Sequence, residues 1–332
     1  MEEKITENKN RIEWIDIAKG ISIILVVYGH CGLSSFPNIA DWFGGFRMPF
    51  FFFISGILFN PYKYNSISDL IKKKQKGLIR PFFIFSIIIF IGYFFLDRDN
   101  FISKVKMFPS LGWGGYALWF IPVLLGTEML YYFICSRIYK KNYIFIALLT
   151  CALFGYMLDK MNVPNYWNLN FIFTSVLFFG LGNILHSPLV KFFQKNSLSL
   201  IWIALISGLL VSLLFFLNKP KPEFFINTLG IGGLTHIVAL GGALMLCCTA
   251  AIISRYSHAL MRPLKYSFKY FGKNSYVVLA FHQLSINMIM ALSFITSGTI
   301  GRILMWISLV LIIEFLTRYM PFVLGRKKKN KG

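Results

Sequence analysis

Long apolar segments alternate with short polar ones along most of the chain. The apolar segments cover residues 14–33, 42–59, 80–96, 115–135, 143–159, 170–186, 198–217, 226–254, 275–296 and 301–322. Their lengths are typical of helices that cross a bilayer. Because a helix satisfies its own backbone groups in lipid, we expect an all-α polytopic membrane protein with about ten transmembrane helices.

Composition supports this class and excludes a large soluble protein. The 332 residues are 56% hydrophobic and only 14% charged, and they include 36 Phe. We expect a cytoplasmic segment at 1–13, a single transmembrane domain at 14–322 and a basic cytoplasmic tail at 323–332. No small-residue cleavage site follows the first apolar segment, so we interpret it as a retained span and not as a signal peptide.

The net charge of +21 would suggest a nucleic-acid partner for a soluble protein. Here the Lys and Arg residues concentrate in alternate connections between the apolar segments, where they outnumber those of the opposite connections about threefold. The richer side includes the segment 72–80, the segment 262–273 and the tail. The positive-inside rule therefore predicts that both termini are cytoplasmic, with membrane lipids and no nucleic acid as partners.

Three ionisable residues lie inside the first apolar segment, where lipid exposure would be costly. Lys19 and His30 are eleven residues apart, so on a helix they lie within about 20° of one another and about 16 Å apart along the axis. Asp16 lies within about 40° of the same line. We therefore predict a polar face that runs from Lys19 near the cytoplasm to His30 in the outer half.

Other ionisable residues leave alternatives open. Arg47 is at the outer end of the second span, where it could approach His30 or extend its guanidinium to the interface. Glu128 and Glu314 are interpreted as buried partners for Lys19 or Arg80, or as catalytic acids. His282 could be a functional residue or only a hydrogen-bonding residue between helices.

The basic segment at residues 72–80 also allows two interpretations. It could set topology and bind anionic lipid headgroups, or it could hold a phosphorylated cytosolic cofactor, with Arg80 as a fixed charge before Pro81. The five Cys have no metal-ligand spacing, so we expect free thiols and no metal.

Several motifs occur in the order found in one family. The residues concerned are Arg11-x3-Ile15-Asp16-x2-Lys19-Gly20-x-Ser22-x3-Val26-x3-His30, Phe46-Arg47-Met48-Pro49 with Ser55-Gly56, Ile79-Arg80-Pro81, Leu118-Trp119-Phe120, Gly180-x-Gly182-Asn183, and Asn274-Ser275-Tyr276 leading to His282. Together they resemble acyltransferase family 3, the polytopic enzymes that O-acylate cell-surface polysaccharides. The family hallmark is a basic residue, ten intervening residues and a His on the first helix, which Lys19 and His30 match.

The chain departs from the family pattern at two positions. Many members have Arg in place of Lys19, and many carry a Glu where this chain has Leu124, with Glu128 one turn later. This pattern looks more like the branch without an attached esterase-like domain. The departure affects the expected acceptor more than the expected reaction.

The resemblance implies an O-acetyltransferase of the cell membrane with acetyl-CoA, or another short acyl-CoA, as co-substrate. The acceptor would be a hydroxyl of an extracytoplasmic or lipid-linked polysaccharide sugar. We assign catalysis to His30, with Asp16 and Arg47 in support. We assign donor binding to five residues: Lys19, Arg80, Lys73, Lys76 and His282.

Two other functions fit a ten-span bundle. The chain could be an exporter or flippase of polysaccharide or lipid-linked sugar without acyl transfer, but no inverted repeat is visible. It could also be a structural partner in a polysaccharide synthase complex, which would leave the alignment of Lys19 with His30 without a function.

Overall fold

A computed structural model describes residues 12–31, 37–96, 98–111, 116–195, 197–218, 221–224, 228–256, 258–291 and 299–326, and these form an all-α protein. The helices, in chain order, are α1 (Glu13–His30), α2 (Pro37–Leu58), α3 (Ile67–Lys74), α4 (Arg80–Leu96), α5 (Arg98–Leu111), α6 (Phe120–Arg137), α7 (Lys141–Lys160), α8 (Leu169–Ile184), α9 (His186–Lys195), α10 (Ser197–Leu217), α11 (Gly232–Arg255), α12 (Arg262–Lys273), α13 (Ser275–Ala291) and α14 (Thr299–Tyr319).

Each predicted span contains a helix, but these helices differ in length and hydropathy. Within the described residues, seven helices are long and apolar enough to cross a membrane: Ile67–Leu96, Tyr116–Arg137, Lys141–Lys160, Tyr166–Ile184, Leu198–Leu217, Gly232–Arg255 and Thr299–Tyr319. The all-α polytopic class is thus confirmed. The total of ten spans and the side of the termini stay predictions, because α1 and α2 do not meet this criterion and α13 is shorter.

The basic segment, expected to be a connection between spans, is helical and continuous with α4. α3 runs into a π-helical turn, Gln75–Ile79, and α4 follows directly at Arg80. Pro81 has no N–H to donate to Gly77, and its ring would clash with that carbonyl in a regular helix. A wider π turn accommodates this position, and such turns are frequent at functional sites. Lys76 is therefore held at a fixed place on a rigid element.

Close backbone contacts at glycine hold the bundle together. A Cβ at Gly56 on α2 would lie 1.8 Å from the Phe179 carbonyl oxygen, and one at Gly182 on α8 would lie 2.0 Å from that of Phe53. In lipid, helices associate by packing and not by expulsion of apolar groups from water, so small residues decide where they cross. The α2–α8 contact therefore depends on both glycines.

A second glycine crossing joins α1 to the amphipathic helix α12. A Cβ at Gly20 would lie 1.9 Å from the carbonyl oxygen of Phe268, and one at Gly272 would lie 1.8 Å from that of Asp16. Beside the crossing, Glu13 pairs with Lys269 at 2.6 Å and with Lys265 at 3.2 Å. The start of α1 is thus fixed by both backbone contact and charge.

Two acidic residues of the bundle have partners that the sequence analysis did not name. Glu128 on α6 pairs with Lys74 at 2.5 Å, and Glu314 on α14 pairs with Arg318 and accepts a hydrogen bond from Tyr270, each at 2.8 Å. Glu128 is buried and Glu314 is half-buried. Lys74 reaches Glu128 because the basic segment is helical at this point and α3 packs against α6.

We expect Gly182→Ala to destabilise the protein by about 1–3 kcal/mol, because the new methyl group would overlap the Phe53 carbonyl and force α2 and α8 apart. The effect is measured as the thermal unfolding midpoint in detergent. Size-exclusion chromatography after heating gives the fraction of protein that remains folded at each temperature. Gly233→Ala is the matched control, since a Cβ there meets nothing within 4 Å. Equal midpoints for the two variants would contradict the glycine crossing.

We expect Lys74→Met to cost on the order of 3 kcal/mol, because Glu128 would keep a buried charge without its partner. The double variant Lys74→Met with Glu128→Leu removes both charges and should recover most of the lost thermal stability. Lys73→Met is the control, since its partner Asp69 is partly exposed and such pairs contribute little. A double variant no more stable than the single one would show that the ion pair is not what joins α3 to α6.

Candidate active site

The C-terminal end of α1 borders a cavity of about 680 Å³. His30 ends the helix, and its side chain is exposed to this space. The volume lies within the range of small-molecule sites in proteins. Arg47 and Gln283 are part of the same wall, from α2 and α13 respectively.

The rest of the cavity wall comes from segments that the charge pattern places on the outer side of the membrane. They include Lys104 on α5, Tyr116 before α6, and Glu223 in the connection between α10 and α11. The cavity therefore lies on the side of the bundle that the charge pattern predicts to be extracytoplasmic. Lys19 and Asp16 are not part of its wall.

Arg47 extends from α2 across the surface of α1. Its Nη1 donates to the Leu25 carbonyl at 3.3 Å, and the Ser22 hydroxyl donates to the Arg47 carbonyl at 3.2 Å. A Cβ at Gly29 would lie only 1.8 Å from Nη1, so the guanidinium rests on a glycine surface directly before His30. Any larger side chain at position 29 would displace the positive charge from its place beside the histidine.

His30 contacts α13 through two consecutive residues. Its Nδ1 lies 3.1 Å from the side-chain amide nitrogen of Gln283, and its ring centroid lies 5.1 Å from that of His282. His282 is fully buried, and its Nδ1 lies 3.0 Å from the carbonyl oxygens of both Val278 and Leu279, to which it donates. The His282 ring is thus fixed by its own helix and forms a rigid surface for His30.

The structure separates the predicted site residues into two groups. His30 and Arg47 line the cavity and His282 packs behind His30, whereas Asp16 and Lys19 lie nearer the start of α1, around the α12 crossing. Asp16 is buried and Lys19 is half-buried. His282, which the sequence analysis grouped with the donor-binding residues, lies beside the catalytic candidate instead.

The basic segment at residues 72–80 does not contribute to the cavity wall. Lys73 donates to Asp69 at 2.9 Å and to the Lys63 carbonyl at 2.8 Å. Lys76 and Arg80 are exposed. Of the three predicted donor-binding residues in this segment, Lys73 is therefore already engaged within the segment, and the other two present their charge to solvent.

Sequence reasoning missed Gln283 and Gly29 as parts of the site. Gln283 directly follows His282, and an amide in an apolar helix was a signal that could have identified it. The sequence gives no such signal for Gly29, because the need for a glycine there comes from the Arg47 guanidinium that packs against it. Within the described residues, no group of three or more His, Cys, Asp or Glu side chains could hold a metal ion.

Comparison with known proteins identifies the family of the chain. A family model described as an acyltransferase domain matches residues 12–317. No curated protein and no solved structure matches the chain. The matched region contains the cavity, both histidines beside it and nearly all of the helical bundle. The chain therefore belongs to acyltransferase family 3, a family of membrane acyltransferases.

Proposed function

We propose that this protein transfers an acetyl group from cytosolic acetyl-CoA, or another short acyl-CoA, to a hydroxyl of an extracytoplasmic or lipid-linked polysaccharide sugar. The observation that carries the proposal is the pairing of His30 with Arg47 in the wall of one cavity. A neutral imidazole can serve as base or nucleophile. A guanidinium beside it can stabilise a developing negative charge.

The donor would bind at the opposite end of α1. Lys76 and Arg80 are exposed on a rigid helix, and they could bind phosphate groups through charge-assisted hydrogen bonds. Because Lys73 is paired with Asp69, it would attract the phosphate groups by its positive charge and would not bind them directly. Lys19 would bind the phosphate or pantetheine end, with Asp16 one turn away to orient it. The rise from Lys19 to His30 is about 16 Å, a length that an extended pantetheine arm could cover.

In direct transfer, His30 takes the proton of the sugar hydroxyl as the oxygen attacks the thioester carbonyl. The carbon–sulfur bond then breaks, and the CoA thiolate receives that proton from His30. Arg47 would stabilise the oxyanion of the tetrahedral intermediate. In the alternative route, the imidazole attacks the thioester, CoA leaves as a thiolate, and the sugar hydroxyl then takes the acyl group while its proton goes to the thiolate. Either route yields one ester and one CoA thiol.

The cellular setting follows from the same reasoning. We propose the cell membrane as the site of action, with membrane lipids around the bundle and acyl-CoA and the glycan acceptor as substrates. Association with a polysaccharide synthase complex would supply the acceptor at the outer cavity. An export function is the competing hypothesis, and it predicts movement of glycan without release of CoA.

We expect His30→Ala to lower acyl transfer by a factor on the order of 10²–10⁴, since the base or acyl acceptor is lost. Transfer of label from radiolabelled acetyl-CoA to an added oligosaccharide, with CoA release, is measured on purified protein in detergent. His258→Ala is the control, because His258 is exposed and far along the chain from the cavity residues. Normal acetylation by His30→Ala would reject the site, and glycan uptake into vesicles without CoA release would favour the exporter.

We expect Lys19→Met to raise the apparent KM for acetyl-CoA about tenfold, which corresponds to about 1.4 kcal/mol of lost binding. The turnover at saturating acetyl-CoA should change little, because Lys19 is far from the reacting carbonyl in this mechanism. Lys141→Met, at the exposed start of α7, is a matched loss of one positive charge. An unchanged KM in Lys19→Met would show that Lys19 stabilises the bundle and does not bind the donor.

A further inference from the structure

Only one ring nitrogen of His30 remains for a substrate. Nδ1 lies 3.1 Å from the side-chain amide of Gln283, within hydrogen-bond distance. Nε2 is therefore the nitrogen that can take a proton from a hydroxyl or attack a carbonyl. Both reactions need a lone pair on Nε2, which a neutral imidazole has only when its proton is on Nδ1.

The group that contacts Nδ1 decides which tautomer is present. A side-chain amide can present either its NH2 or its oxygen, since a half-turn exchanges the two without moving any other atom. With the NH2 towards His30, Nδ1 must accept, and the proton moves to Nε2. With Oε1 towards His30, Nδ1–H donates and Nε2 carries the lone pair.

We propose that Gln283 is a positioning residue that presents Oε1 to Nδ1–H of His30 and thereby keeps Nε2 available for acyl transfer. This inference rests on the proposed function. It concerns the orientation of His30 and not contact with the substrate, so Gln283 is not a catalytic residue in this mechanism.

Two observations besides the distance support the proposal. With the amide nitrogen towards His30, Gln283 Oε1 is buried and has no hydrogen-bond partner among the described residues, a costly state for a carbonyl oxygen. The half-turn gives that oxygen the Nδ1–H of His30 as donor and moves the NH2 to the place that the oxygen left. Arg47 lines the same cavity and can only donate hydrogen bonds. An Nε2 with a lone pair therefore suits Arg47 better than a protonated Nε2 does.

The neighbouring His282 limits the ring motion that would undo this arrangement. Its ring is held by two backbone carbonyls and lies 5.1 Å from the His30 ring, centroid to centroid. One residue of α13 thus packs against the His30 ring, and the next one hydrogen-bonds its Nδ1. This resembles the general use of a second group to orient a catalytic histidine, with an amide in place of the more usual carboxylate.

Two substitutions test whether the side chain of Gln283 must accept a hydrogen bond from His30. Gln283→Glu keeps an oxygen acceptor and offers no donor when ionised, so it should retain acetyl transfer. Gln283→Met removes the contact and should lower kcat on the order of 10²-fold, with the KM for acetyl-CoA unchanged within about twofold. Met290→Ala, about two turns along α13 at an exposed position outside the cavity wall, serves as the control for general damage to the helix.

The tautomer itself can be measured without activity. In protein with ¹⁵N-labelled histidine, the His30 signals are identified by their loss in His30→Gln, and we expect a protonated Nδ1 and a bare Nε2. In Gln283→Met the proton should move to Nε2. A bare Nδ1 in the wild type, loss of activity in Gln283→Glu equal to that in Gln283→Met, or full activity in Gln283→Met would overturn the inference.

The two measurements distinguish this inference from the proposed function. A wild-type protein with protonated Nδ1 but no transfer of label from acetyl-CoA would reject the proposed function and support the orientation of His30 by Gln283. Transfer of label by a wild-type protein with protonated Nε2 would support the proposed function and reject the role of Gln283.

Discussion

The placement of α1 depends on its close contact with α12. Gly20 and Gly272 bring the two backbones together, and a Cβ at either position would overlap a carbonyl of the other helix. α1 carries four ionisable residues within 18, so it needs protein around it and not lipid. α12 covers its first turns, while α2, α11 and α13 contact other parts of it. This enclosure lets one helix carry ionisable groups from one end of the bundle towards the other.

The ionisable side chains of the bundle fall into two kinds, those paired with an opposite charge and those beside the cavity. Glu128 and Glu314 have cationic partners and join helices or turns. His30 instead borders open space, and Arg47 in the same cavity wall is held by a backbone carbonyl and by the glycine surface at position 29. A charge whose hydrogen bonds go to backbone keeps its field available to a ligand. Catalysis by electrostatic stabilisation needs such a preorganised group.

Much of the fold was predictable because hydropathy and helix geometry are local properties of the chain. The helical class and the approximate place of each helix followed from the lengths of the apolar segments. The shared face of Lys19 and His30 followed from helical periodicity. The partners of Glu128 and Glu314 did not follow, because a partner depends on which helices meet. The continuity of the basic segment with α4 was also missed, since Pro81 suggested a boundary and the structure accommodates it with a π turn.

Residue type at fixed spacing was enough to predict the class of protein, the first helix of the site and the family. The surroundings of His30 follow from the tertiary structure, because they come from other helices. Arg47 comes from α2, and His282 and Gln283 come from α13, so their approach to His30 depends on which helices meet in the bundle. The tautomer that we propose for His30 is a property of that assembled environment, since it is set by a hydrogen bond between residues 253 positions apart.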